Sequence, residues 1–298
     1  MIIVVGGRGV IGGGIVDALK AEGRELEIVT HDGKQAARPG FRYGNMRDPE
    51  TLDATMAGAE IVVQSAMFST YPVEKPRKGH TFMAFDGEGT ENLVAAAAKA
   101  GVKRYIYIGG AGCKPNSPQP YFKAIYRGEQ AVLDSSMESV VISPTLVYGP
   151  RDRGLNVVVS VSRKLPFLPI VGNGGSMEQP VAVQDVGKVV AQAAHVGGPA
   201  GKYEIGGPDR MTLKDTIRHV FDVVGLKRPL VHVPKWMALF GASILQYFPG
   251  TPLTVNAVHF ITEDFISDNE PLLATFDMEL TSFDEGIRRY MGPGKTAG

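Results

Sequence analysis

Short apolar runs alternate with segments of helical spacing along the first half of the chain. Ile2-Ile3-Val4-Val5 is continuous, β-branched and closed by glycine, the pattern of a buried strand. Ile11, Ile15, Ala18 and Leu19 then recur at helical spacing within a helix predicted over Ile11 to Ala21. Further strands are predicted at Leu26 to Thr30, Ile61 to Val63, Tyr105 to Ile108 and Val140 to Ile142. Helices are predicted between them near Pro49 to Ala57, over Thr90 to Ala100 and over Tyr121 to Ser135. Strands joined by helices of this length specify a parallel sheet covered on both faces, a doubly wound α/β fold. The near-continuous apolar strands fit that burial, since a half-solvated strand would alternate.

Beyond Gly149 the pattern loosens and Pro150, Pro166, Pro169 and Pro180 punctuate it. Helical pieces are expected at Val186 to Ala194, Leu213 to Val224, Lys235 to Leu245 and Phe283 to Tyr290. Short strands are expected at Pro180 to Val183, Tyr203 to Ile205 and Leu230 to Val233. The division expected is a doubly wound core over 1–150 and a smaller α+β region over 151–298, interleaved with that core.

Composition narrows the class. Lys and Arg total 31 and Asp and Glu total 31, so nothing steers the chain toward nucleic acid. The hydrophobic share of 44% is that of a globular protein and argues against disorder. Cys113 is the only cysteine and the histidines show no zinc spacing, so neither a disulfide nor a metal site is expected. The expectation is a reduced, soluble, cytoplasmic protein. Trp236 to Thr262 lacks any Asp, Glu, Lys or Arg and is long enough for a membrane span. Pro249-Gly250-Thr251-Pro252 interrupts it, which favours two apolar helices of a lid or subdomain over a spanning helix; peripheral contact with a membrane surface stays open.

Gly6-Gly7-Arg8-Gly9-Val10-Ile11-Gly12 carries the strongest chemistry. It leaves the first strand and opens the first helix. A turn that tight needs glycine, and a diphosphate must approach its backbone closely. Helix N–H groups at Val10 and Ile11 then face the phosphates at the positive end of the dipole. A glycine-rich turn with no ligand is the alternative reading. The second strand bears on the cofactor. An NAD reader ends it with a carboxylate on the ribose 2′-hydroxyl. Here Thr30 and His31 hold that place, Asp32 falls one step later, and Arg8 offers a cation to a 2′-phosphate. NADP is therefore expected, with NAD as the alternative.

Further motifs extend the pattern: Gly44-Asn45-Met46-Arg47-Asp48, Gly89-Thr90-x-Asn92-Leu93, Gly101-Val102-Lys103-Arg104, Pro144-x-x-x-Tyr148-Gly149-Pro150, Gln179-Pro180-Val181-x-Val183-x-Asp185-Val186 and Tyr203-Glu204-Ile205-Gly206-Gly207-Pro208. In this order, with Leu253-Thr254 after them, they resemble the extended and atypical short-chain dehydrogenase/reductases. The atypical branch containing the nucleotide-binding accessory subunit of respiratory complex I is the most similar. The resemblance implies a Rossmann fold, a nicotinamide cofactor and a small-molecule substrate. It places Asn45 and Met46 beside the adenine, Ser65 and Ala66 beneath the ribose, and Pro144 near the nicotinamide. Asp185 is expected to cap the helix at Val186.

The family's catalytic set is Ser or Thr, Tyr, and Lys four residues after the Tyr. Alignment puts Gly110 at the Ser position and Tyr121 at the Tyr position, with Ile125 where Lys belongs. Lys123 is two residues from Tyr121, on another helical face. Tyr71 and Lys75 have the right spacing, but Pro72 and Pro76 argue against a helix there. Three functions follow from the resemblance. One is an NADP(H)-dependent oxidoreductase acting on a small, fairly apolar substrate, with Tyr121 as its remaining catalytic residue and Trp236 to Phe248 as a pocket wall. The second is a non-catalytic cofactor-binding assembly or sensor protein, which would need a protein partner. The third is a nucleotide-sugar epimerase or dehydratase that retains NAD. The stripe of Trp236, Phe240 and Phe248 reads either as core or as substrate wall, and Cys113 has no adjacent base to make it a nucleophile.

Overall fold

The structure is a computed structural model that describes residues 1–68, 72–152, 154–246 and 254–292. Seven parallel strands form its central sheet. Six come early: β1 (Ile2–Val5), β2 (Leu26–Thr30), β3 (Phe41–Tyr43), β4 (Ile61–Gln64), β5 (Arg104–Ile108) and β6 (Glu138–Pro144). Their spatial order is β6-β5-β4-β1-β2-β3, and the late strand Gly201–Ile205 completes the sheet beside β6.

Alternation with period two sends successive side chains to opposite faces. Ile2, Val4, Ile106 and Ile142 meet Ile15, Val16 and Leu19 of α1 (Val10–Ala21) and Val186, Val189 and Val190 of the helix Val183–Ala193. Ile3, Val62, Tyr105 and Val141 meet Leu93, Ala97, Ile125 and Val132 on the other side. Those four belong to the helices Glu88–Lys99 and Pro120–Leu133. Both faces are thus covered, as the apolar strands require.

Strand order reverses at β1. The chain runs β1-β2-β3 to one side and then crosses to β4-β5-β6 on the other. The crevice at the carboxyl ends of β1 and β4 is the place where doubly wound sheets bind ligands.

Chain beyond 150 also forms smaller pairs of strands. Leu168–Val171 pairs in parallel with Leu230–Val233, and Met177–Glu178 pairs antiparallel with Met211–Thr212. The helices Leu155–Lys164 and Leu213–Val224 pack on the first pair through Val158, Ile217 and Phe221. Among the described residues no helix is long and apolar enough to cross a membrane.

Two expectations are corrected here. Asp185 is not the N-cap of a helix at Val186: the helix begins at Val183, so Asp185 lies in its first turn. Its buried carboxylate instead accepts the Thr281 N–H at 2.7 Å and the Thr281 hydroxyl at 2.9 Å, tying the helix to the late chain. Trp236 and Phe240 are neither core nor pocket wall. Their helix, Lys235–Leu245, leaves them 70% and 68% exposed. Ala238 and Ala242, with Leu239 beside them, form its inner face instead and pack against Val171, Val233 and Val258. Phe248 lies outside the described residues.

Candidate functional site: a dinucleotide cradle and an aromatic cleft

The cradle starts where β1 ends. Gly6 turns the chain at φ +87°, a conformation that favours glycine. A Cβ on Gly6 would stand 2.4 Å from the Ala66 nitrogen, and one on Gly12 would stand 2.1 Å from the Gly6 oxygen and 2.6 Å from Ser65 Oγ. The loop therefore lies directly on Ser65 and Ala66 at the end of β4. The Ser65 N–H and hydroxyl both donate to the Val5 oxygen, at 2.8 and 3.3 Å. Gly9 is the N-cap of α1 and has no side chain to offer its first turn. The amides of Val10, Ile11 and Gly12 thus lack intrahelical carbonyls and add their partial positive charge to the dipole. Such a cradle, closed to any side chain and lined with free amides, fits a diphosphate.

At the tip of β2, His31 is exposed, as is Arg8 in the loop. Arg8 makes no hydrogen bond or ion pair among the described residues. Asp32 is committed elsewhere: its Oδ1 accepts the amides of Lys34 at 2.9 Å and Gln35 at 3.4 Å, capping the short helix Gly33–Ala36. Asn45 is half-buried and its Oδ1 accepts the Arg47 N–H at 3.1 Å. Its amide group still has a donor for a base edge. The Met46 carbonyl is held by Asn92 Nδ2 at 3.0 Å, and its side chain packs on Gly89, where a Cβ would meet Met46 Cε at 2.9 Å.

The other end of the crevice is an apolar cleft of about 350 Å³. It runs from Val10 and Ile11 past Gly110, Tyr121 and Pro144 to Phe260 and Phe265. Tyr121 is the second residue of its helix, behind Pro120. Its ring stands edge-on to Phe82 at 5.4 Å and to Phe260 at 6.4 Å. Phe260 in turn lies 4.5 Å from Phe265. Neither Phe260 nor Phe265 stood out in the sequence, since no motif or regular spacing marks them. They, and not Trp236 or Phe240, form the aromatic wall.

Neither Ile125 nor Lys123 supplies the missing catalytic cation. Ile125 is fully buried in the core, and Lys123 is exposed on another face of a helix that already includes Tyr121. At Gly110, a Cβ would meet Cys113 Sγ at 3.3 Å, so the thiol occupies the space beside the absent hydroxyl. Tyr71 lies outside the described residues, and Lys75 is exposed beside a bridge to His80.

A buried carboxylate supports the floor below. Glu129 Oε2 sits 2.6 Å from Lys202 Nζ, and its Oε1 accepts the Ser143 hydroxyl at 3.1 Å. The Gly110 N–H also donates to it. Burial pushes the Glu129 carboxyl up, and Lys202 pulls it back. Burial, aided by the Glu129 charge, likewise pushes the Cys113 thiol well up. A thiol held protonated is a poor nucleophile. Cys113 is therefore expected to resist Ellman's reagent in the folded protein and to react once it is unfolded. Rapid labelling of the native chain would contradict that.

A parallel sheet with a glycine cradle at its order reversal defines a Rossmann-type dinucleotide-binding protein. The chain belongs to the NAD dependent epimerase/dehydratase family, whose pattern matches residues 2–206. It is similar to subunit 9 of the NADH dehydrogenase (ubiquinone) 1 alpha subcomplex of Arabidopsis thaliana mitochondria, with 28% identity over 234 residues, 74% of this chain and 57% of that protein. An NAD(P)H azoreductase of Xenophilus azovorans is 28% identical over 149 residues, 48% of this chain and 47% of its own length. The chain spans about half the length of the curated relatives it matches. A Thermus thermophilus UDP-glucose 4-epimerase, solved as a complex with NAD, superposes with a TM-score of 0.73 at 19% identity over 96% of each chain, which shows the shared fold.

Proposed function

We propose that the protein is an NADP(H)-dependent oxidoreductase that acts on a small, fairly apolar substrate in the aromatic cleft. The observation that carries the cofactor choice is the pairing of an unengaged Arg8 with an Asp32 locked into a helix cap. A free guanidinium suits a 2′-phosphate, and a capped carboxylate is not at hand for a 2′-hydroxyl. A nicotinamide bound in the crevice supplies or accepts a hydride.

The chain's own residues do the rest. The amides of Val10 to Gly12 hold the diphosphate, and Ser65, Ala66 and Pro144 shape the floor toward the cleft. Phe122, Phe260 and Phe265 exclude water from the substrate. Ile125 stands on the adjacent turn where the family has its lysine. Tyr121 lines the cleft and donates its phenolic proton to the substrate atom that gains charge. This suits reduction of a polarised double bond better than alcohol oxidation, which needs a base.

Fluorescence titration with NADPH and NADH tests the cofactor. Arg8→Ser is expected to weaken NADPH by about tenfold, the scale of a lost charge-assisted contact, and to leave NADH unchanged. Equal weakening of both would overturn the assignment. Turnover of NADPH on enones, quinones, ketones and azo dyes, lost in Tyr121→Phe, tests the chemistry.

A second reading is a cofactor-binding assembly protein without turnover. Gly110 and Ile125 favour it, as does the likeness to a complex I subunit. Tight NADPH binding with no oxidation on any acceptor, together with a stoichiometric protein partner on purification, would establish it over the first.

A further inference from the structure

Charge is segregated in this electrically neutral chain. Residues 154–177 and 223–262 contain no Asp or Glu, yet carry Arg163, Lys164, Lys227, Arg228 and Lys235. The fold brings these segments together, because Leu168–Val171 and Leu230–Val233 are paired strands and the second leads through Pro234 into the helix Lys235–Leu245. That helix buries only Ala238 and Ala242. Its outer side presents Trp236, Phe240 and Ile244, spaced four apart in one stripe, with Met237 beside them, all exposed. Phe167, just before the first of these strands, and Val231, on the second, are exposed too.

We propose that this corner docks on an anionic phospholipid bilayer, with the stripe of Lys235–Leu245 lying in the interface and the basic residues facing lipid headgroups. An amphipathic helix with an indole and aliphatic side chains on one face and lysines around it is built for that boundary. A second copy is disfavoured by charge: a twofold contact sets the same patch against itself, Arg163, Lys164, Lys227 and Lys235 included. Nucleic acid would leave Met237 and Ile244 without a partner. The inference goes beyond the oxidoreductase reading and stands whether or not the cofactor is bound.

Trp236 is the only tryptophan in the chain, so its emission reports on this surface alone. The full-length protein is mixed with vesicles of phosphatidylcholine, with and without phosphatidylglycerol. Expected are a blue shift and co-sedimentation with the anionic vesicles only, both weakened by salt. Phe240→Ser is expected to weaken partition roughly tenfold, and Lys227→Glu or Lys235→Glu by about fivefold or more each. All three positions are exposed, and unchanged NADPH titration shows that the variants remain folded. The proposal is overturned if Trp236 emission ignores anionic vesicles, or if Phe240→Ser binds them as well as the parent. It is also overturned if the blue shift follows protein concentration without lipid, which would make the face a self-association surface.

Discussion

Gly12→Val removes dinucleotide binding, with NADPH and NADH affinities both falling by about 100-fold or more. The cause is steric and lies on the backbone. A Cβ at this position would sit 2.1 Å from the Gly6 oxygen and 2.6 Å from Ser65 Oγ, well inside contact distance. A main-chain oxygen in a turn at φ +87° has little room to give. Relief comes from tilting α1 away from the loop, which pulls the amides of Val10 and Ile11 off the phosphate position. Overpacking of this kind costs about 1–3 kcal/mol in stability, occasionally more. The binding loss adds the free energy of the displaced amide contacts. Gly241→Ala is the control, since no atom lies within 4 Å of a Cβ there. Isothermal titration of both variants, with circular dichroism to confirm folding, reads the difference. A folded Gly12→Val protein that binds either coenzyme as the parent does would remove the diphosphate cradle from the account.

That cradle was legible in the sequence because its constraint is local. Glycines spaced by three between an apolar strand and a helix have few uses other than close backbone approach. The five strands predicted in the first 150 residues are legible for a similar reason, since burial on both faces leaves unbroken apolar runs. β3 escaped notice: Phe41-Arg42-Tyr43 is three residues long, sits at the sheet edge and is only partly buried. An edge strand has one neighbour and one wet side, so it writes no hydrophobic run. The strand Gly201–Ile205 was partly read, but its place beside β6 was not, because pairing across some sixty residues leaves no local trace.

The reaction end of the site is long-range throughout. Phe260 and Phe265 join Tyr121 in the cleft from more than a hundred positions later, and Glu129 meets Lys202 across 73 positions. Helical periodicity gave the Lys235–Leu245 segment its form but not its environment. An apolar helix looks the same in sequence whether its aromatics face a core, a substrate or the outside. Only the neighbours decide, and here they meet the alanine face. What the sequence did expose was an absence. Gly110 and Ile125 are visibly the wrong residues for the usual catalysis; Cys113 packs against the first position and the second is buried in the core.

Asp86→Asn is expected to stabilise the protein above neutral pH and to leave it unchanged in acid. Asp86 is 1% exposed, in the widened helical turn Met83–Gly87. Its Oδ1 accepts the Phe68 N–H at 2.9 Å, while its Oδ2 has no hydrogen-bond partner among the described residues. Burial drives the carboxyl from its ordinary 3.8 up to about 7, against the pull of the Phe68 amide and with help from the charge of Glu74. The sign follows from proton counting. Below the ordinary value the group is protonated in both folded and unfolded chains and costs nothing. Between there and about 7 the folded chain keeps a proton that the unfolded chain has lost, so stability falls as pH rises. Above that window the full penalty is present, about 4 kcal/mol for a shift of this size. Asparagine keeps the Oδ1 acceptor and never ionises. The variant should therefore melt about 6 °C above the parent near pH 8 and level with it near pH 4. Comparing the two proteins at each pH cancels other buried carboxyls, among them Glu178, which burial also raises to about 7. A melting difference of the same size at both pH values would mean that packing, not the charge on Asp86, sets its cost.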